Sequence, residues 1–235
     1  IIGVAVFVQQ HEADFFNDDL AVKATILAGQ LASLLEASRL SQNSREEHRR
    51  AEILADVAHS LHSVPDAAGV ITAVAERLRI LLRAELVSVV MRRGGTFDLS
   101  DISAESAELA VSVRARHDRK GLQFASELAN SALSEGRLIA VPIDPATHVL
   151  GDLVPGGTLL AAPFRTANAE GAVLIYPRHN EPFSEEEQSL ISAVTGFGAV
   201  AAANAELSAT TRGQAHELHQ LLEIAAELGS LGNLE

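Results

Sequence analysis

The chain of 235 residues contains no cysteine and no tryptophan. Without cysteine there is no disulfide, no cysteine–zinc site, no thiolate-bound haem and no thiol nucleophile. That leaves the redox compartment open, although a reducing cytosol fits. Aromatic residues make up 4% of the chain, too few for a large aromatic-lined cofactor pocket. Lys and Arg number 18 against 31 Asp and Glu, a net charge of −13. Such a balance argues against a nucleic-acid groove and is otherwise what solubility asks for. No apolar run approaches the roughly 20 residues of a membrane span. Ile1–Val8 is short and lacks a basic leader, so it is not read as a signal peptide.

The stretch from Glu181 to Leu207, EPFSEEEQSLISAVTGFGAVAAANAEL, organises what is present. Ser184 and Glu187 have the spacing of a capping box, and Glu185 and Glu186 favour the positive end of a helix. Leu190, Val194, Phe197 and Ala201 then form one apolar stripe. Gly196 and Gly198 each cost about 1 kcal/mol in a helix interior relative to alanine, which points to close packing against a neighbour. The same pattern occurs earlier, 167 positions back. Phe16 falls on Phe183, Val6-Phe7-Val8 on Val173-Leu174-Ile175, and Leu40 on Leu207. Leu54, Val57 and Leu61 fall on Leu221, Ile224 and Leu228. A repeat of this kind precedes any argument about fold. It predicts a truncated first unit at 1–40, a helical linker at 41–52, a complete domain at 53–207, and a connecting helix opening a third unit at 208–235.

Within the complete unit, Pro65 and Asp66 end one helix and cap the next. Val70, Ile71, Val74, Leu78 and Leu81 make the second amphipathic. Leu86–Met91 and Thr96–Ile102 read as a hairpin about Gly94-Gly95. The alternation of the second strand is imperfect. Ala104–Arg114 reads equally as helix or strand. Gly121–Glu135 is a helix stopped by Gly136, and Asp144–Gly157 is a Pro/Gly loop. Leu138–Ile143, Thr158–Arg165 and Gly171–Tyr176 are strands, as is Ile1–Val8 in the first copy. Hairpin-joined strands with helices at both ends give an α+β fold with an antiparallel sheet.

In this order of elements the chain resembles the GAF domain family. The residues that carry the likeness are Ile53–Met91, Gly121–Asp144, Gly157–Tyr176 (GTLLAAPFRTANAEGAVLIY) and the closing helix. The resemblance implies a central antiparallel sheet of about six strands, helices packed on one face and a pocket on the other. It also implies long connecting helices that pair in homodimers and pass signals along the chain. Their apolar stripe, from Val194 through Leu218 to Leu222, has the spacing of about 3.5 residues that a parallel coiled coil requires. Residues expected to line or rim a ligand site are Phe97, Arg116, His117, Phe124, Leu128, Asp144, His148 and Phe164. No catalytic residue, metal ligand or particular cofactor is assigned.

Several better-defined activities are disfavoured. LADVAHSLHSVP around His59 resembles the phospho-acceptor box of sensor histidine kinases, but Ser60 stands where an acidic residue is wanted, and the repeat places Ala226 on His59. The signature of cyclic-nucleotide-binding members is met only by Phe183 and Glu187. Methionine sulfoxide reduction and bilin attachment on this scaffold use cysteine. The expectation is therefore a non-catalytic, cytoplasmic sensor region of a signal-transduction protein such as a two-component system. It binds an unknown small molecule and no nucleic acid, has no membrane span in this region, and its output domain lies elsewhere. A ligand-free dimerisation and spacer module is the alternative.

Overall fold

The computed structural model describes residues 18–117, 121–178 and 182–231, so the strand expected at Ile1–Val8 lies outside the described residues. The chain divides into two compact units, Ile1–Ile53 and Leu54–Glu235. In order, the elements are α1 (Asp18–His62), α2 (Ala67–Leu82), β1 (Leu86–Arg93), β2 (Thr96–Ala104), α3 (Ala107–Arg116), α4 (Leu122–Glu135), β3 (Ile139–Ile143), β4 (Gly157–Arg165), β5 (Glu170–Tyr176) and α5 (Glu185–Leu231).

Of the first unit, the described part is helical, and Leu27, Leu31, Leu34 and Leu35 are each more than half exposed on it. In the second unit all strands pair antiparallel in the order β2-β1-β5-β4-β3. Among the described residues the sheet has five strands, not six. The reason lies between β2 and β3, where the described residues form α3 and α4. The ambiguous segment becomes a helix because the Ser106 hydroxyl accepts from the Leu109 N–H at 3.1 Å, a side-chain cap.

The imperfect alternation of β2 also has a cause. Val89 pairs with Asp101 and Val90 with Leu99, so Ser100 is an extra residue on β2. A bulge of one residue shifts the period. Phe97, Leu99, Ile102 and Ala104 consequently all pack against one core, despite the odd step between Leu99 and Ile102. Proline in β4 is tolerated for a related reason. Pro163 lies beyond Ala161, the last residue of β4 paired with β3 at that end, so no neighbour on that side needs its N–H.

One face of the sheet is covered by α2 and α5. Asp66 caps α2 by accepting from the Gly69 N–H at 2.8 Å. The capping box of α5 forms in both directions: the Glu187 N–H donates to the Ser184 hydroxyl at 3.2 Å and the Ser184 N–H to the Glu187 carboxylate at 2.8 Å. Of the two mid-helix glycines, Gly198 is the packing position. A Cβ there would lie 2.3 Å from Val74 Cγ2 and 3.2 Å from Phe164 Cε2, whereas at Gly196 it would meet nothing within 4 Å. Nor is the expected stripe a single buried face, since Val194 and Ala201 are buried but Phe197 is 40% exposed. The second face carries α3, α4 and the 144–156 loop, which close over a separate core.

By length and composition alone α5 could cross a membrane. Over Glu185–Leu221 it holds an 18-residue window of mean hydropathy 1.4, contrary to the expectation that no segment comes close. Part of that hydropathy belongs to the domain's own core, where Ile191, Val194, Ala201 and Ala202 are buried.

Candidate functional site

The core between the sheet and α3/α4 is built from alternate residues of the central strands. Leu86, Ser88 and Val90 of β1 stand opposite Tyr176, Leu174 and Ala172 of β5. Gly171 keeps these strands close, because a Cβ there would lie 1.9 Å from the Val90 carbonyl oxygen. Above them, α4 contributes Ala125, Leu128, Ala129 and Ala132, and the loop contributes Leu150 and Val154.

Polar groups interrupt this apolar layer. Ser88 is fully buried, and among the described residues its hydroxyl has no hydrogen-bond partner. His148 enters from the loop. Asp144 builds the turn that presents it: its carboxylate accepts from the Ala146 N–H at 2.9 Å and the Thr147 hydroxyl at 3.2 Å, and its carbonyl from the His148 N–H at 2.8 Å. The Leu150 N–H donates to His148 Nδ1 at 3.1 Å. Nδ1 is thus the acceptor, and in the neutral ring the proton sits on Nε2. That Nε2 is buried without a hydrogen-bond partner among the described residues. Burial first, and the neighbouring His117 second, hold the His148 pKa below the ordinary imidazole value of 6.5. Phe124 lies edge-on to the His148 ring at 4.7 Å, and Tyr176 at 6.0 Å. Burial pushes the Tyr176 hydroxyl well above its ordinary pKa, so it stays protonated.

The residues expected at a ligand site are therefore divided among different places. His117, Phe124, Leu128 and His148 come together, His117 being buried with its Nδ1 3.0 Å from the Val113 carbonyl. Phe97 packs on the same core from β2, with the Arg92 guanidinium 5.2 Å over its ring. Asp144 and Arg116 shape the loop. Arg116 donates to the Val149 carbonyl at 3.0 Å and pairs with Asp152, holding that carboxyl below its usual range. Phe164 lies on the opposite face, buried against Gly198 of α5. Ser88 and Tyr176 were not anticipated. Their signals are a lone polar residue within an apolar strand and the chain's one tyrosine.

A second polar assembly lies at the tip of the β4–β5 hairpin, beside an open cleft of about 350 Å³ lined by Arg92, Arg165 and Glu170. Glu170 pairs with both arginines. Arg92 also donates to the Asn130 side chain at 3.3 Å, and Arg165 to the Leu133 carbonyl at 2.6 Å, both on α4. On the other side of the hairpin, the Glu206 carboxylate of α5 accepts from the Thr166 hydroxyl at 2.9 Å and the Asn168 N–H at 3.1 Å. Among the described residues no group of three or more His, Asp or Glu side chains is arranged to hold a metal ion.

No family model and no curated protein sequence matches the chain. Solved structures do. Free methionine-R-sulfoxide reductase from Neisseria meningitidis, in complex with its substrate, is 11% identical over 68% of this chain and 91% of its own, with a TM-score of 0.50. The GAF domain/HD domain protein from Geobacter sulfurreducens is 22% identical over 63% of this chain and 98% of its own, at 0.48. The phycoerythrobilin-bound GAF domain of a cyanobacterial phytochrome is 16% identical, covering 68% and 97%, at 0.46. The likeness is one of fold: the second unit has a GAF-like fold, with one strand fewer than the resemblance implied.

Proposed function

We propose that this chain is a cytoplasmic, non-catalytic sensor region of a multi-domain signalling protein, in which the GAF-like unit binds a small molecule between the sheet and α3/α4. The observation that carries the reading is the pair of buried polar atoms, Ser88 Oγ and His148 Nε2–H, facing an apolar layer without protein partners among the described residues. Buried polar groups are nearly always hydrogen-bonded, and an acceptor-bearing ligand would satisfy both. The cyanobacterial domain holds a bilin, and this chain has no cysteine with which to attach one. Occupancy would reach an output domain through α5, in a homodimer paired along the long helices.

The tandem arrangement belongs to the same reading. Shifted by 167 positions, the exposed Leu27, Leu31, Leu34 and Leu35 of α1 fall on Val194, Gly198, Ala201 and Ala202 of α5, all buried. That face of α1 has the composition of a closing helix that lies on its own sheet.

Native mass spectrometry of bacterially expressed protein, beside a denatured run, tests the sensor. Surplus mass lost on denaturation, and reduced in His148→Phe, is the expected result. A dimer without surplus mass, unchanged by incubation with metabolite extracts, overturns it. It would favour the spacer, a reading that gains support from Leu128, Leu150 and Val154, each at most 7% exposed where a ligand would sit.

A further inference from the structure

Arg92 of β1, Glu170 of β5 and Arg165 of β4 stand directly opposite one another across three neighbouring strands. The row reads plus, minus, plus. One Glu170 oxygen pairs with Arg92, and the other lies 3.6 Å from Arg165 Nε. The carboxyl is held below its usual range, chiefly by the hydrogen bond from Arg92, so it stays ionised. One positive charge of the row is left over, in a chain whose net charge is −13. Glu206 does not cancel it directly, being engaged by Thr166 and Asn168 on the other side of the hairpin. Donors are left over as well. Arg92 spends one N–H on Asn130 and one on Glu170, and Arg165 spends one on the Leu133 carbonyl. A guanidinium carries a fork of further N–H donors, and no hydrogen bond from these to a described residue is formed. Both side chains are nevertheless held in place, Arg92 over the Phe97 ring and Arg165 on α4.

We propose that the cleft beside this row is a second ligand site, which takes the phosphoryl group of a small metabolite between Arg92 and Arg165. It is separate from the core between the sheet and α3/α4 and does not depend on a ligand there. The cleft of about 350 Å³ has the size of a small-molecule site. Two turns complete its lining, and both are short of side chains: Gly94 and Gly95 on one, Ala167 and Ala169 on the other. Among the described residues the N–H groups of Gly94, Gly95 and Ala167 make no hydrogen bond. Backbone N–H groups in turns form concavities that favour anions. The choice between anions follows from shape. A carboxylate offers two oxygens in one plane, which Glu170 already supplies. A phosphoryl group offers a pyramid of three oxygens and about two negative charges. It can engage both guanidinium forks and the turn amides together, in charge-assisted bonds.

The test is a titration of the full chain, read by the amide resonances of Gly94, Gly95 and Ala167. The probes are inorganic phosphate, glycerol 3-phosphate and succinate, with potassium chloride at matched ionic strength as the blank. Saturable shifts with the two phosphates, and weaker ones with succinate, are expected. Tighter binding of glycerol 3-phosphate assigns a phosphorylated metabolite, and tighter binding of inorganic phosphate assigns the free ion. Arg165→Gln should weaken binding roughly tenfold, the scale of a bond to a charged group. Glu170→Gln removes the competing carboxylate and should tighten binding roughly twofold to fivefold, the scale of one exposed charge. A gain of this kind cannot come from misfolding, and an ion-pair row with a structural role alone would not produce it. His148→Phe should leave the shifts unchanged, which keeps the outcome independent of the site under α3/α4. Shifts no larger than those in potassium chloride overturn the proposal. So do succinate binding more tightly than either phosphate, binding indifferent to Arg165→Gln, and a Glu170→Gln variant that binds no tighter.

Discussion

Gly198 of α5 approaches Val74 of α2 so closely that a methyl group added at 198 would come within 2.3 Å of Val74 Cγ2. The neighbouring Gly196 has open space. The two glycines should therefore respond oppositely to alanine. Gly198→Ala forces a backbone or side-chain shift in a packed core and should cost about 1–3 kcal/mol. Gly196→Ala should add up to about 1 kcal/mol through helix propensity. Urea unfolding midpoints check both, and a destabilised Gly196→Ala would contradict the assignment of faces.

His148 links stability to pH. Its folded pKa lies below the ordinary value of 6.5, chiefly through burial. The folded state thus binds fewer protons than the unfolded chain as pH falls below about 6.5. The stability contributed by the neutral ring is present above that pH and is lost on acidification through the folded value. Chemical denaturation at pH 7.5 and 5.5 should show this loss. His148→Phe should make the difference smaller, while a slope equal to wild type would show that other groups carry it.

Ser88→Ala removes a buried hydroxyl that has no protein partner among the described residues. Protein stripped of ligand should be unchanged or gain up to about 1 kcal/mol, because the desolvation cost disappears with the hydroxyl. Ligand-loaded protein should lose affinity. A loss of stability in the stripped protein would mean that Ser88 is bonded in the native state.

Glu206→Ala breaks the two hydrogen bonds that bind α5 to the β4–β5 turn. Bonds to a charged acceptor are worth about 1.5–3 kcal/mol each when buried and less at a partly exposed site such as this. Hydrogen exchange should rise at Asn168 and in the turn of α5 around Glu206, while the core strand β5 keeps its protection. Uniform loss of protection would indicate global destabilisation instead.

The elements that could be read from the sequence were those whose signals are local. The capping box at Ser184, the cap at Asp66, the Gly94-Gly95 hairpin and the Gly136 stop each sit within a few residues of what they determine. What escaped depends on register. The bulge at Ser100 hides the alternation of β2, because an inserted residue leaves no local mark. Phe164 lies away from the ligand face, which the period of a strand does not reveal, since it gives two faces without saying which faces what. Ser88 and Tyr176 become neighbours of the site only through the pairing of β1 with β5. The number of strands expected came from the likeness to a family, and five is what the residues between β2 and β3 leave once they become helices.

The β4–β5 turn can be considered as a place rather than as a set of bonds. A five-stranded sheet separates two helical layers and, being hydrogen-bonded throughout, passes little sideways movement between them. At this hairpin the separation lapses. Arg165, paired with Glu170, reaches α4 on one side, and between these two in sequence Thr166 and Asn168 hold Glu206 on the other. A displacement of α4 by a fraction of an ångström has only four residues of loop to cross before it bears on the helix that leaves the domain.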